Sequence, residues 1–338
     1  MGDESLGAGP ETGVGAEFGS EAGAGAGSRP SSNADTGAGA GPGSASALIP
    51  SHDWGAEWRA LQKLRRHADD AAFWDKRAAT FSRKDAPNSY AEQFLERAGI
   101  RPGESVLDMG CGTGALSVPL GAAGHPVIAA DFSRGMLGVL EGALGAQGVT
   151  CVTPLLMSWE DDWDAHGVGE GAVDVCLASR SIAVDDLEAA LARLTRAARR
   201  RVCITLPTGS SPRTDGRALE AVGLGDVTGR DHLYAFNILA DHGIQAEVSY
   251  IKSTRRDTFA SLDEACAKYD AMVRAAAVLS TPAELDEACA RLRPWLASQL
   301  VANEDAGMPD GHGVAQGALR LREPRVITWA FLAWDKGL

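Results

Sequence analysis

Between Ser105 and Leu206 the chain alternates short apolar runs with stretches of helical spacing, and this alternation constrains the fold more than any other feature. The runs Ser105–Met109, Pro126–Asp131, Thr150–Leu155, Val173–Ser179 and Arg201–Leu206 read as strands buried on both faces. The segments Ala115–Ala123, Arg134–Leu144 and Asp185–Ala198 between them read as the covering helices. Two later apolar runs, Ala246–Lys252 and Val326–Trp334, bring the predicted sheet to seven strands. The expectation is therefore a doubly wound α/β domain with a mostly parallel sheet. Helices over about Trp54–Arg83 and Ser89–Ala98 precede it, a Gly-rich loop follows Pro207, and another helix lies near Asp231–His242. A block over Leu262–Val301, split by Pro282, predicts a helical cap at 255–322, inserted before the last strand.

Composition narrows the class of partner. No stretch of the 338 residues approaches the roughly 18 to 20 apolar residues a membrane helix needs. The net charge is −13, and residues 51–338 alone retain 39 acids against 31 bases, a balance unsuited to gripping a phosphate backbone. A small-molecule partner, with neither nucleic acid nor membrane, is the expectation. Residues 1–50, rich in Gly, Ala and Ser with six acids and Arg29 as sole base, read as a flexible leader. Residues 51–100 then hold lid helices, and 101–338 the main domain. Six cysteines without a Cys-x-x-Cys pair, two of them inside apolar runs, fit a reducing cytoplasm and supply no metal site.

The chemistry is carried by Val106-Leu107-Asp108-Met109-Gly110-Cys111-Gly112-Thr113-Gly114, an apolar strand entering a glycine turn that opens a helix. Gly110, Gly112 and Ala115 also satisfy a loose dinucleotide fingerprint, with Asp131 at a suitable distance for a ribose. Asp108 separates the two ligands, because a carboxylate at the strand tip repels pyrophosphate and attracts a cationic amino group. In this segment the sequence resembles the class I, Rossmann-like S-adenosylmethionine-dependent methyltransferases. The resemblance covers about residues 70–210 and implies S-adenosylmethionine as cofactor, held by Asp108, Gly110, Cys111, Gly112 and Gly114. It further implies that Asp131 takes the ribose hydroxyls, that Phe132 and Met136 pack near the adenosine, and that Glu160 or Asp161 meets the adenine amino group. Trp159 is placed to stack on the ring, and Ser179 completes the predicted cofactor set. Asp131 as a plain helix-start acid, and Glu160 and Asp161 as a solvated acidic turn, are the competing readings.

For the acceptor side, Arg180 and Ser181 follow the fourth strand, where ligands of open α/β sheets bind. Arg180 can clamp a carboxylate or phosphate, or pair with Asp185 or Asp186 at a helix start. His232 is a candidate general base or an ordinary histidine, while Tyr234 and Asn237 on the same helix are candidate substrate contacts. Trp54, Trp58 and Trp74 read as lid residues or as core, Tyr90 as reaching the cofactor, and Arg199-Arg200-Arg201 as a solvated helix end. The activity implied is methyl transfer to a small molecule. A non-catalytic cofactor-binding module and a nicotinamide-dependent oxidoreductase are the rivals.

Overall fold

The chain divides into two units, residues 1–51 and 52–338. The computed structural model describes residues 52–337 except 66–69, 82–88, 210, 226–228, 278–279 and 311–313; the leader lies outside the described residues.

Three helices come first: α1 (Trp54–Arg65), α2 (Ala71–Phe81) and α3 (Ser89–Ala98). The alternating region follows as β1 (Val106–Met109), α4 (Ser117–Ala122), β2 (Val127–Asp131), α5 (Arg134–Gln147), β3 (Val152–Leu156), β4 (Val173–Ser179), α6 (Leu187–Ala197) and β5 (Ala198–Pro207). Beyond it lie α7 (Gly216–Ala221), α8 (Asp231–Asp241), β6 (Glu247–Arg255), β7 (Thr258–Phe259), α9 (Leu262–Ala276), α10 (Pro282–Ala290), α11 (Leu292–Gln299), β8 (Leu300–Ala302), β9 (Leu319–Leu321) and β10 (Arg325–Asp335). The main sheet has seven strands in the order β3-β2-β1-β4-β5-β10-β6. Its first five are parallel, and β10 runs antiparallel to both β5 and β6.

The sheet is covered on both faces, as the apolar runs required. Leu107, Met109 and Cys176 pack with residues of α6, α8 and Trp58 on one face. Val106, Val127, Ala129 and Val175 pack with residues of α3, α4 and α5 on the other. Trp58 is fully buried and donates from Nε1 to Val184 O at 2.7 Å, so of the two readings offered for it the structure supports core.

Two departures from the sequence reading have clear causes. Arg199, Arg200 and Arg201 are not a solvated helix end but the start of β5, and acids from neighbouring elements neutralise them. Arg199 pairs with Asp174, Arg200 with Glu104, and the buried Arg201 with Glu247 and Asp335. The cap is not purely helical either, since β7, β9 and β8 form a three-stranded antiparallel sheet beside α9, α10 and α11. Ala218 and Leu219 of α7, in the segment read as a loop, join Phe259, Tyr269, Leu292 and Leu296 in a separate apolar core there.

The cap is carried on a ribbon. β5 ends where Pro207 faces Trp329, whereas β10 and β6 stay paired to Arg325 and Arg255. At about 3.4 Å per residue the ribbon rises roughly 14 Å past the carboxyl edge of the parallel strands, on the side where ligands of such sheets bind.

Candidate functional site

The strand ends of β1 and β2 build the first half of the site. Gly110 N–H and Cys111 N–H both donate to Ala130 O, at 2.8 and 3.0 Å, so the glycine turn begins while still tied to β2. Gly110 has φ 72°, and a Cβ on it would stand 2.3 Å from Ser181 Cβ, so only glycine fits. Ser181 seals this contact by donating its Oγ to Met109 O at 2.6 Å. Gly112 has φ 55° but nothing within 4 Å of its would-be Cβ.

Asp108 lies opposite Ala129 in the parallel register, so Asp108 and Asp131 project from the same face of neighbouring strands. Ser117 Oγ donates to Asp108 Oδ2 at 2.6 Å. Burial, reinforced by the charge of Asp131, nevertheless pushes the Asp108 carboxyl up to about 6. Asp131 accepts Gly112 N–H on Oδ2 at 2.8 Å and Ser133 N–H on Oδ1 at 2.9 Å, and burial raises its pKa also. Each of its oxygens keeps acceptor capacity for a further donor. Burial pushes the Cys111 thiol well up, so it stays protonated. Phe132 is 37% exposed just past Asp131, and Met136 is buried in the first turn of α5.

Asp75, which sequence reasoning missed, clasps α2 to this corner. Its Oδ1 accepts Ser133 Oγ at 2.6 Å and Gly135 N–H at 2.8 Å, while Ser133 Oγ caps α5 by accepting Met136 N–H at 3.1 Å. The Ser133 bond is the first cause holding the Asp75 carboxyl below its usual range.

The other half is built by the ends of β4 and β5. Tyr90 of α3 hydrogen-bonds Ser179 Oγ at 2.9 Å and Thr205 Oγ1 at 2.7 Å, which puts its hydroxyl at the ends of β4 and β5. Burial raises its phenol. Thr205, also missed, accepts Arg180 N–H at 3.1 Å. Its only signal was a lone hydroxyl in the apolar run Val202–Leu206. The Arg180 guanidinium stands 4.2 Å above the Tyr90 ring centroid, and Asp186, offered above as its partner, instead caps α6 and approaches Arg59 at 3.5 Å.

The remaining predicted residues have settings of their own. The Trp159 indole is buried against Trp163 and donates from Nε1 to Ser181 O at 3.1 Å, so it braces the loop instead of offering a face for stacking. Glu160 is exposed, and Asp161 accepts Ser158 N–H at 2.8 Å within its own turn. Tyr234 donates to Glu57 Oε1 at 2.6 Å and meets Trp58 edge-on at 5.6 Å, a contact between α1 and α8. Asn237 donates back to Leu233 O of its own helix. His232 hydrogen-bonds the backbone of Pro207, and burial lowers its pKa. Among the described residues no group of three His, Cys, Asp or Glu side chains could hold a metal ion, and no helix is long and apolar enough to cross a membrane.

A Rossmann-like sheet in which two buried carboxylates flank a glycine turn defines a nucleoside-cofactor domain. The family model described as a methyltransferase domain matches residues 106–201, from β1 into β5. An uncharacterized protein of Haemophilus influenzae is 36% identical over 182 residues, 53% of this chain and 66% of that one. A protein of Geobacillus sp. (strain WCH70) named "Putative methyltransferase" is 34% identical over 79 residues, 23% of this chain and 32% of that one. The match thus spans less than two thirds of either relative's length. Among solved structures, magnesium protoporphyrin IX methyltransferase of Synechocystis PCC 6803 with bound S-adenosylhomocysteine is 19% identical at a TM-score of 0.39, covering 58% of this chain and 92% of that one. Residues 106–201 thus carry a methyltransferase domain.

Proposed function

We propose that the protein transfers the methyl group of S-adenosylmethionine to a small-molecule acceptor in the cytoplasm. The observation that carries this is the pairing of Asp108 and Asp131 on one face beside the glycine turn. Two carboxylates in one buried corner suit a ligand with an ammonium group and a ribose diol, and they oppose a pyrophosphate. The turn fits such a group, since Gly110 leaves no room for a Cβ and Gly112 leaves the backbone open.

When bound, the cofactor supplies an electrophilic methyl on sulfur. Asp131 accepts the ribose hydroxyls with its remaining lone pairs, and Phe132 offers its exposed ring to the adenine. Asp108 provides the negative charge for the amino group, with Ser117 fixing its orientation. Glu160 is the adenine candidate with a solvent-facing carboxylate. Ser179, Arg180 and Ser181 face the acceptor. Catalysis by alignment is sufficient for an acceptor that is already nucleophilic, and needs no dedicated base. His232, close to the end of β5, is the one predicted base candidate held near this mouth.

The test is single-turnover transfer from methyl-labelled S-adenosylmethionine to fractionated metabolites. A labelled small molecule is the expected result. Cofactor binding with no labelled acceptor in any fraction would favour a non-catalytic binding module, and stabilisation by NAD or NADP instead of S-adenosylhomocysteine would favour an oxidoreductase.

A further inference from the structure

Among the described residues Arg180 is the only one other than glycine with a positive φ, at 60°. An L-residue pays on the order of 1 kcal/mol or more for that conformation, so it persists only where the surroundings impose it. Here they do. Arg180 N–H is held by Thr205 Oγ1, and Ser179 before it by the Tyr90 hydroxyl. Ser181 after it is bonded through its Oγ to Met109 O and through its carbonyl to the Trp159 indole. The outcome is a guanidinium laid over Tyr90 at 4.2 Å and 6.0 Å from the Trp329 centroid.

That cation is exposed, and no described carboxylate lies within ion-pair distance of it. The contrast with Arg199, Arg200 and Arg201 is sharp, since each of those is ion-paired, in a chain whose acids exceed its bases by 13. Stacking on an aromatic face fixes the guanidinium plane while leaving N–H groups at its edge for a planar or tetrahedral oxyanion. The position is the carboxyl edge of β4 and β5, beside Trp329 where the ribbon leaves the sheet.

We propose that Arg180 recognises an oxyanion, a carboxylate or phosphate, on the methyl acceptor, and that Tyr90 and Thr205 are the positioning residues that hold it in its left-handed conformation. This rests on the methyltransferase reading and adds the acceptor's chemical class. No covalent step is involved.

The experiment titrates the full chain, saturated with S-adenosylhomocysteine, with benzoate, phenyl phosphate and neutral benzamide, followed by ligand-observed NMR. Binding of benzoate or phenyl phosphate in the millimolar range is expected, with benzamide at least tenfold weaker; which anion binds more tightly distinguishes a carboxylate from a phosphate acceptor. Arg180→Gln should weaken anion binding at least tenfold and leave S-adenosylhomocysteine affinity unchanged. Thr205→Val should weaken it several-fold, while Thr205→Ser, which keeps the hydroxyl, should restore it. The proposal is overturned if benzamide matches benzoate, if Arg180→Gln binds anions like the parent, or if neither anion binds the cofactor-loaded protein at 50 mM. Failure of S-adenosylhomocysteine itself to bind would instead overturn the methyltransferase reading, a separate result.

Discussion

Replacing Asp108 by Asn should stabilise the ligand-free protein at neutral pH and weaken its grip on the cofactor. The Asp108 carboxyl is 2% exposed and held at about 6, against an ordinary 3.8, chiefly by burial. Its ionisation therefore opposes folding. The favourable contribution of the neutral form is intact below about pH 4 and is lost as pH rises through 6. The difference between the two pKa values converts to about 3 kcal/mol at pH 7 and above, falling to about 1 kcal/mol at pH 4.5. An amide avoids that cost and can still bond to Ser117 Oγ. Thermal unfolding of parent and Asp108→Asn at pH 4.5 and 7.5 should show the variant melting several degrees higher at pH 7.5, with a much smaller gap at 4.5. Adding S-adenosylhomocysteine should shift the parent more than the variant, because the variant has lost a charge-assisted contact of about 1.5–3 kcal/mol. A variant less stable than the parent at pH 7.5, or a gap independent of pH, would refute the burial argument.

Other positions give contrasting outcomes. Gly110→Ala should lose several kcal/mol and abolish cofactor binding, because its Cβ would strike Ser181 at 2.3 Å, whereas Gly112→Ala, with nothing within 4 Å, should cost only about 1–2 kcal/mol of backbone strain; urea denaturation of both separates them. Asp215 is fully buried and accepts Tyr269 Oη at 3.0 Å and Arg217 Nη2 at 2.9 Å where β5 leads into the cap. Asp215→Asn should cost about 2–3 kcal/mol and speed limited proteolysis within residues 258–321; an unchanged digestion pattern and melting temperature would contradict that role.

The parallel core was legible because its signals are local. Apolar runs bounded by turns give β4 the same limits, Val173–Ser179, in sequence and structure, and the Ser89–Ala98 periodicity gives α3 its limits likewise. The glycine turn was legible because positive φ and close approach select glycine. What failed depended on distant partners. Three consecutive arginines enter β5 only because Glu104, Asp174, Glu247 and Asp335 arrive from other elements to neutralise them. The short strands of the cap, two or three residues each, carry no period to read. Trp159 was placed near the adenine by its position after β3, but its burial against Trp163 is set by packing with α6 and the Ser181 loop. Asp75 carries no local pattern and Thr205 only a lone hydroxyl in an apolar run, since each acquires its role from hydrogen-bonded partners distant in sequence: Ser133 and Gly135 for Asp75, Tyr90 and Arg180 for Thr205.

Isothermal titration of the purified chain with S-adenosylhomocysteine and with NADH, repeated on Asp131→Ala, tests the central claim most directly. Saturable uptake of S-adenosylhomocysteine, weakened about 10- to 150-fold by Asp131→Ala, with no heat from NADH, is the predicted result. Tight binding of NADH, or S-adenosylhomocysteine binding indifferent to Asp131→Ala, would contradict it.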